Sequence, residues 1–250
     1  MTVSLQKIPG RTRLSLPANS GQIADPLSDR CPPSSVASGS NFAVALGIQQ
    51  LVGAFRPAFP HLRILRNLII PMHEGSAVPT ARIDAVIVCE TGVYLFEIKS
   101  WRNAFIYRKK SEQSPPRWFL RLHGCTKARE VKDPAWQGGR KTTQLRSLMP
   151  EDLRLQYFVL LPCEGIELEG VMPAAIITQQ DLPYIARLVR NNGRTARTYR
   201  LLNAEAIEET VQLLTGIQGD LTIEKHLQNC RERMDQIHAP SSESDQQDIQ

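Results

Sequence analysis

The sequence lacks any apolar run long enough to cross a lipid bilayer, which takes about 20 predominantly apolar residues. Its longest apolar runs, such as 68–70 and 85–88, have the length of β-strands. The first twenty residues also lack the apolar stretch of a secretory signal peptide. We therefore expect a protein that neither spans a membrane nor is secreted.

Cysteine is scarce and irregularly spaced, with five residues and no C-x-x-C pair. This pattern argues against a disulfide scaffold and against a zinc knuckle, and it favours thiols in a reducing compartment. We accordingly predict a cytoplasmic location.

The sequence also lacks the phosphate-binding G-x-x-x-x-G-K-[ST] loop and the G-x-S-x-G nucleophile motif, which argues against P-loop enzymes and serine hydrolases.

Positive charge is concentrated in the middle of the chain. Residues 102–141 contain eleven Lys or Arg and three acidic residues, a net charge of +8, whereas the whole chain carries +5. Such asymmetry favours a surface that binds a polyanion such as nucleic acid, although an ordinary solvated loop would have the same composition. The candidate phosphate contacts are Lys109, Lys110, Arg117, Arg121, Arg140 and Lys141.

Hydrophobic patterning predicts an α/β domain with a mixed central sheet flanked by helices. A helix is expected over 41–56, capped by Ser40 or Asn41, and another over 134–149, capped by Asp133 with Pro134 at its first position. Strands are expected at 62–70, 82–89, 93–100, 157–162 and 174–177, and further helices at 181–189, 204–215 and 221–238. Residues 102–132 are predicted to be a long basic connection with a small hairpin around 118–120.

The second and third strands carry the residues that point to chemistry. Glu97 and Lys99 lie two positions apart, so in a strand their side chains project to the same side. A short turn at 90–92 predicts a hairpin in which Asp84 pairs roughly with Ile98, close enough to reach Glu97 and Lys99. Two carboxylates and one ammonium group would then meet at one edge of the sheet.

This set of side chains suits metal-assisted hydrolysis of a phosphodiester. Asp84 and Glu97 would hold Mg²⁺ or Mn²⁺, with the Ile98 carbonyl as a third ligand, because hard cations prefer oxygen donors. Lys99 would orient or deprotonate a water molecule, or stabilise the phosphate. A structural salt bridge across two strands would use the same residue types, and that alternative stays open.

The strand 92–101, with Asp84 before it and 133–137 after it, resembles the nuclease-related domain family of the PD-(D/E)xK, restriction-endonuclease-like superfamily. The likeness covers roughly residues 37–150 and includes Trp118. The resemblance implies a restriction-endonuclease-like core, Asp84 and Glu97 as metal ligands, and Lys99 as the catalytic lysine. It also implies that Gln137 is an active-site residue on a helix.

One departure from the family concerns the first helix. The family usually opens that helix with Gly-Glu, and the glutamate can support the metal site. Here the aligned pair is Ser40-Asn41, and Asn41 brings no charge. Two carboxylates remain, enough for one metal ion; Glu74 is a less favoured replacement.

The sequence-based hypothesis is therefore a Mg²⁺- or Mn²⁺-dependent nuclease acting on DNA, with RNA as the second candidate substrate. The alternative is a catalytically inactive module of the same fold that binds nucleic acid or another protein. We expect an irregular arm over 1–38, a nuclease-like domain over 39–180, a helical extension packed on the core over 181–238, and a disordered acidic tail over 239–250.

Overall fold

The computed structural model describes residues 36–109, 115–195 and 198–238. Residues 1–35 of the predicted arm and the predicted tail over 239–250 lie outside these ranges, whereas residues 36–38 belong to the first helix. The helices are α1 (Val36–Phe55), α2 (Pro134–Arg146), α3 (Leu182–Thr195), α4 (Ala204–Gln218) and α5 (Ile223–His238). The strands are β1 (Arg63–Pro71), β2 (Thr80–Cys89), β3 (Gly92–Ile98), β4 (Ala104–Lys109), β5 (Arg117–Leu122), β6 (Arg129–Val131), β7 (Leu155–Leu161), β8 (Ile166–Glu169) and β9 (Ile176–Thr178).

The strands form two mixed sheets. The first has the order β1-β2-β3-β7-β9, in which β7 and β9 are parallel and β1, β2 and β3 are antiparallel. The second has the order β6-β5-β4-β8, in which β4 and β8 are parallel. The predicted α/β class with mixed strand directions is confirmed, and the four-stranded sheet is an addition to the predicted arrangement.

Backbone contacts divide the chain into two compact units. The first unit comprises the described part of 1–60, together with 97–138 and 157–191. The second unit comprises 61–96, 139–156 and the described part of 192–250. The domain limits expected from the sequence, 39–180 and 181–238, differ from these two units and stay a prediction.

In the second unit, β1, β2 and most of β3 form an antiparallel meander. Strand β2 is buried almost throughout, as expected for a run of β-branched residues covered on both sides. Gly92 opens β3 with φ +128°, and a Cβ there would lie 2.6 Å from the carbonyl oxygen of Arg154, so only glycine fits this turn. Ala85 lies opposite Phe96, so the predicted register is wrong by one residue.

Helix α5 packs against β2 in the second unit, where the side chain of His226 contacts Thr80. The two residues are joined by a hydrogen bond of 2.9 Å between His226 Nδ1 and Thr80 Oγ1. Burial, and then the nearby cations of Arg82 and Lys141, lower the pKa of His226 below its usual value of 6.5. The folded chain therefore favours the neutral imidazole.

We expect acid to weaken the second unit through His226. Its pKa is lower folded than unfolded, so the contribution to stability is complete above about pH 6.5 and is lost as the pH falls below that value towards the folded pKa. The melting temperature of the His226→Gln variant should therefore fall less between pH 7.5 and pH 5 than that of the parent protein. Equal falls would contradict this assignment.

In the first unit, the segment predicted to be a long basic connection folds into β4, β5 and β6. The predicted hairpin near 118–120 is present and pairs six residues of β4 with six of β5. One side of these strands contributes Ala104, Ile106, Trp118 and Leu120 to a buried cluster with Val159 of β7. The segment therefore forms a layer of the fold, and five of its cations lie on the strands: Arg108, Lys109, Arg117, Arg121 and Arg129.

The two helix starts predicted from the sequence have different outcomes. Helix α2 begins at Pro134, and the Asp133 carboxylate accepts hydrogen bonds from the backbone N–H groups of Ala135 and Trp136 at 2.8 and 3.2 Å, as predicted. Helix α1 begins at Val36, so the predicted cap at Ser40 or Asn41 is wrong and Asn41 lies inside the helix.

The cysteines only partly follow the prediction. Cys89, Cys163 and Cys230 are free, and burial raises the pKa of Cys89 to about 11, which keeps it a thiol. Cys125 is disulfide-bonded, so the expectation of thiols throughout is wrong at that position.

Within the described residues, we find no helix with both the length and the apolar character needed to cross a membrane.

Candidate nuclease site

The end of β3 presents an acidic and a basic side chain side by side. Phe96 and Ile98 are buried, whereas Glu97 and Lys99 keep 15% and 20% of their side chains exposed, which is the alternation that a strand imposes. The Lys99 ammonium group lies 3.0 Å from Glu97 Oε1. The Lys99 backbone N–H donates to the Leu160 carbonyl of β7 at 3.0 Å, so hydrogen bonding to a buried strand fixes this position.

Helix α2 brings a third polar side chain to the same place. Lys99 Nζ donates to Gln137 Oε1 at 3.1 Å, although the two residues are 38 positions apart in the sequence. Because Asp133 caps this helix and Pro134 begins it, Gln137 lies in its first turn. Glu97, Lys99 and Gln137 therefore form a contiguous group of side chains in the first unit.

Tyr157 of β7 supports the first turn of α2. Its hydroxyl donates to the Ala135 carbonyl at 2.7 Å, and burial, followed by the charge of Asp133, raises the pKa of Tyr157, so the hydroxyl stays protonated. The ring lies directly beneath Gly138, where a Cβ would come within 2.4 Å of Tyr157 Cδ2. Glycine is needed at 138 for the helix to approach the strand this closely.

Asp84 lies in the second unit, within β2, and its side chain is only 4% exposed. The Asp84 Oδ1 atom is 3.1 Å from a guanidinium nitrogen of Arg82, whose side chain is 35% exposed. A buried carboxylate needs such a partner, because an isolated charge in the protein interior is strongly unfavourable. Lys141 approaches the same strand and donates to the Arg82 carbonyl.

The chemistry of the donors fits a hard divalent cation. Asp84 in the second unit and Glu97 in the first each carry carboxylate oxygens, which are the donors that Mg²⁺ prefers. Over the described ranges, no three His, Cys, Asp or Glu side chains gather closely enough to form a complete protein cage for a metal.

The six predicted phosphate-binding residues have different surroundings. Lys109, Arg117 and Arg121 lie on β4 and β5 beside aromatic rings, and Arg117 also pairs with Glu130. Lys141 contacts the Arg82 carbonyl, and Arg140 is exposed on α2. Lys110 lies outside the described residues.

The three tryptophans differ in their exposure to solvent. Trp118 is 1% exposed and belongs to the core, and Trp101 packs against that core, whereas Trp136 is 61% exposed at the start of α2. A cleft of about 360 Å³ lies beside this helix start in the first unit. Its lining residues are Pro115, Pro116, Arg117, Trp118, Glu130, Val131, Lys132 and Asp133.

An acidic residue and a lysine two positions apart at the end of a strand, with a glutamine from the neighbouring helix, are typical of nuclease-like α/β domains of the PD-(D/E)xK type. The family model of the nuclease-related domain matches residues 45–163. This segment of the chain is therefore a nuclease-related domain, as the sequence resemblance indicated. No curated protein and no solved structure matches the chain.

Sequence reasoning did not find the residues that support the site. Tyr157 had the pattern of an ordinary strand residue, and Gly138 that of one of two consecutive helix glycines.

Proposed function

We propose that the chain is a metal-dependent nuclease that hydrolyses phosphodiester bonds in DNA, with RNA as the second candidate substrate. The observation that carries the proposal is the contact of Lys99 with both Glu97 and Gln137, at 3.0 and 3.1 Å, inside a nuclease-related domain.

In this proposal, Asp84, Glu97 and the Ile98 carbonyl hold Mg²⁺ or Mn²⁺. When bound, the cation lowers the pKa of a water molecule and neutralises charge on the phosphate. The observed register of β2 and β3 supports the assignment of Asp84. If Asp84 paired with Ile98, its side chain would project to the side of the sheet opposite to that of Glu97. The observed pairing of Ala85 with Phe96 removes this conflict.

The remaining roles belong to Lys99 and Gln137. Lys99 has three N–H donors, of which two are directed to Glu97 and Gln137, so the third can bind a phosphate oxygen or the attacking water. Gln137 orients the lysine through its amide oxygen, and its NH₂ group can donate to the substrate. These residues position and stabilise the reacting phosphate.

A cleavage assay tests this function. We expect purified protein to cleave plasmid or single-stranded DNA in Mg²⁺ or Mn²⁺, and excess EDTA to stop the reaction completely. Adding Mn²⁺ beyond the EDTA should restore cleavage. A preparation that cleaves equally well in EDTA, or in no metal at all, would contradict the proposal.

A second candidate function is binding of nucleic acid without cleavage. The observation that favours it is Asn41, which is uncharged, whereas the family resemblance implies a glutamate at this position. Asn41 lies inside α1 and therefore has no capping role either. Salt-sensitive DNA binding with no cleavage in either metal would establish this second function.

We also propose the expected organisation and location. Residues 39–180 would be the nuclease-like domain and 181–238 a helical extension, and within the second unit α4 and α5 pack on β1 and β2. A cytoplasmic location is supported by the free Cys89, Cys163 and Cys230, whereas the disulfide at Cys125 speaks against it. Fractionation of cells that express the tagged protein tests the location.

A further inference from the structure

The outward side of β4 and β5 combines aromatic rings with cations. Directly opposite residues on antiparallel strands share a side of the sheet, and the opposite pairs here are Phe105 with Arg121, Tyr107 with Phe119, and Lys109 with Arg117. We call these six residues the aromatic–basic face. The other side of the same strands is the buried cluster around Trp118 and Ile106, so the six residues project away from the core.

The rings and cations of this face contact each other. The rings of Tyr107 and Phe119 stack with centroids 5.5 Å apart, and the Lys109 ammonium group lies 5.1 Å from the Phe119 centroid. The guanidinium group of Arg121 lies 4.6 Å from the Phe105 centroid, and that of Arg117 lies 5.6 Å from the Phe119 centroid. All three rings are half-buried, and the ring of Phe105 also stacks on the ring of His123, with centroids 4.4 Å apart.

Acidic residues border the face on both outer strands. Glu130 of β6 lies opposite Phe119, and on β8 Glu167 and Glu169 lie opposite Phe105 and Tyr107. The cations therefore lie on the two central strands and the acids on the two outer ones. From β6 to β8 the sheet is three strand spacings wide, about 14 Å.

We propose that the aromatic–basic face binds a single strand of nucleic acid by stacking its unpaired bases on Tyr107, Phe119 and the two guanidinium planes. This inference rests on the proposed function, because it names the strandedness of that substrate. Single strands expose both faces of their bases, and aromatic side chains and arginine planes bind these faces with little dependence on sequence. Lys109 and Arg121 attract the phosphates of the same strand, whereas the charge of Arg117 is paired with Glu130.

The acidic borders explain why one strand fits better than two. Inside a duplex the base faces are already stacked, so a duplex offers the rings nothing to bind. Its two rows of phosphates are separated by grooves of about 6 and 12 Å, so a duplex laid across a 14 Å sheet brings phosphates near Glu167 and Glu169 on β8. Like charges placed close together disfavour that complex.

Binding measurements in EDTA, where no metal-dependent cleavage occurs, test the inference. The probes are a labelled 20-nucleotide thymidine strand, its duplex with the complementary strand, a strand of equal length with abasic sites, and a uridine RNA strand. We expect the parent protein to bind the base-containing single strands at least about tenfold more tightly than the duplex or the abasic strand.

Substitutions separate stacking from charge. Tyr107→Ala and Phe119→Ala should each weaken single-strand binding by roughly 5- to 150-fold, the loss of about one stacked base, and change duplex binding by less than about twofold. Tyr107→Phe and Phe119→Trp keep a ring and should retain affinity. Phe42→Ala is a matched control, because Phe42 is an exposed phenylalanine on α1, 68% exposed, outside this face.

Several results would overturn the inference. These are equal affinity for duplex and single strand, loss of affinity in the ring-retaining variants, or alanine variants that weaken the abasic strand as much as the normal one. If an alanine variant fails to fold, the corresponding threonine variant, which suits a strand, takes its place. Preferred binding of single strands without cleavage in Mg²⁺ would contradict the proposed nuclease activity but support this inference. Cleavage with no preference for single strands would support the nuclease activity but contradict this inference.

Discussion

Replacing Glu97 with glutamine is expected to reduce phosphodiester cleavage below detection while folding and nucleic-acid binding stay close to those of the parent protein. Glutamine keeps the size of the side chain, and its amide oxygen can still accept from Lys99, so we expect a stability loss within about 1 kcal/mol. A neutral amide oxygen is a much weaker ligand for Mg²⁺ than a carboxylate. Asp84 would be left as the one charged ligand in the proposed set.

The control for this variant is Glu151→Gln. Glu151 is an exposed glutamate in the turn after α2, and it takes no part in the proposed site. Cleavage rates in Mg²⁺ and Mn²⁺, together with melting temperatures, should show that Glu151→Gln behaves like the parent. A purified Glu97→Gln protein that cleaves at the parent rate would place the activity elsewhere or in a contaminant.

Replacing Gly138 with alanine is expected to lower both stability and cleavage. The new Cβ would lie 2.4 Å from the Tyr157 ring, which cannot swing away without losing the 2.7 Å hydrogen bond to Ala135. Overpacking of this kind costs about 1–3 kcal/mol. The first turn of α2 has to move, and Gln137 moves with it, so we expect cleavage to fall on the order of tenfold to a hundredfold.

Gly53→Ala provides a matched comparison on α1, where a new Cβ would meet nothing within 4 Å. In a helix this substitution should stabilise the protein by about 0.5–1 kcal/mol and leave cleavage unchanged. We therefore expect Gly138→Ala to lower both the melting temperature and the cleavage rate. Gly53→Ala should raise the melting temperature and leave the cleavage rate unchanged. A Gly138→Ala protein with parental stability and activity would show that Tyr157 does not hold the helix in place.

Local patterns predicted the local features of the site. The two-residue period places Glu97 and Lys99 on one side of β3, and Asp133-Pro134 fixes the start of α2 through capping chemistry that depends on neighbouring residues alone. Gln137 entered only through the family resemblance, because nothing in the residues around it indicates a contact with Lys99.

Features that depend on distant contacts escaped sequence reasoning. The pairing of Ala85 with Phe96 depends on the conformation of the turn, and a one-residue error there reverses the direction of every side chain. Strand β4 was not recognised because Arg108, Lys109 and the basic residues on either side of the strand resemble a charged loop when they are counted together. The contact between Gly138 and Tyr157 joins residues from different elements and has no local signal.

The second sheet also has a protection against self-association. A sheet that displays three aromatic rings would tend to recruit further strands, from other copies of the chain, at its open edges. Here β6 has only three residues and β8 only four, which gives an incoming strand few backbone groups to pair with. Glu130, Glu167 and Glu169 add negative charge along those same edges. Short, charged edges thus let the protein display aromatic side chains in water while discouraging aggregation.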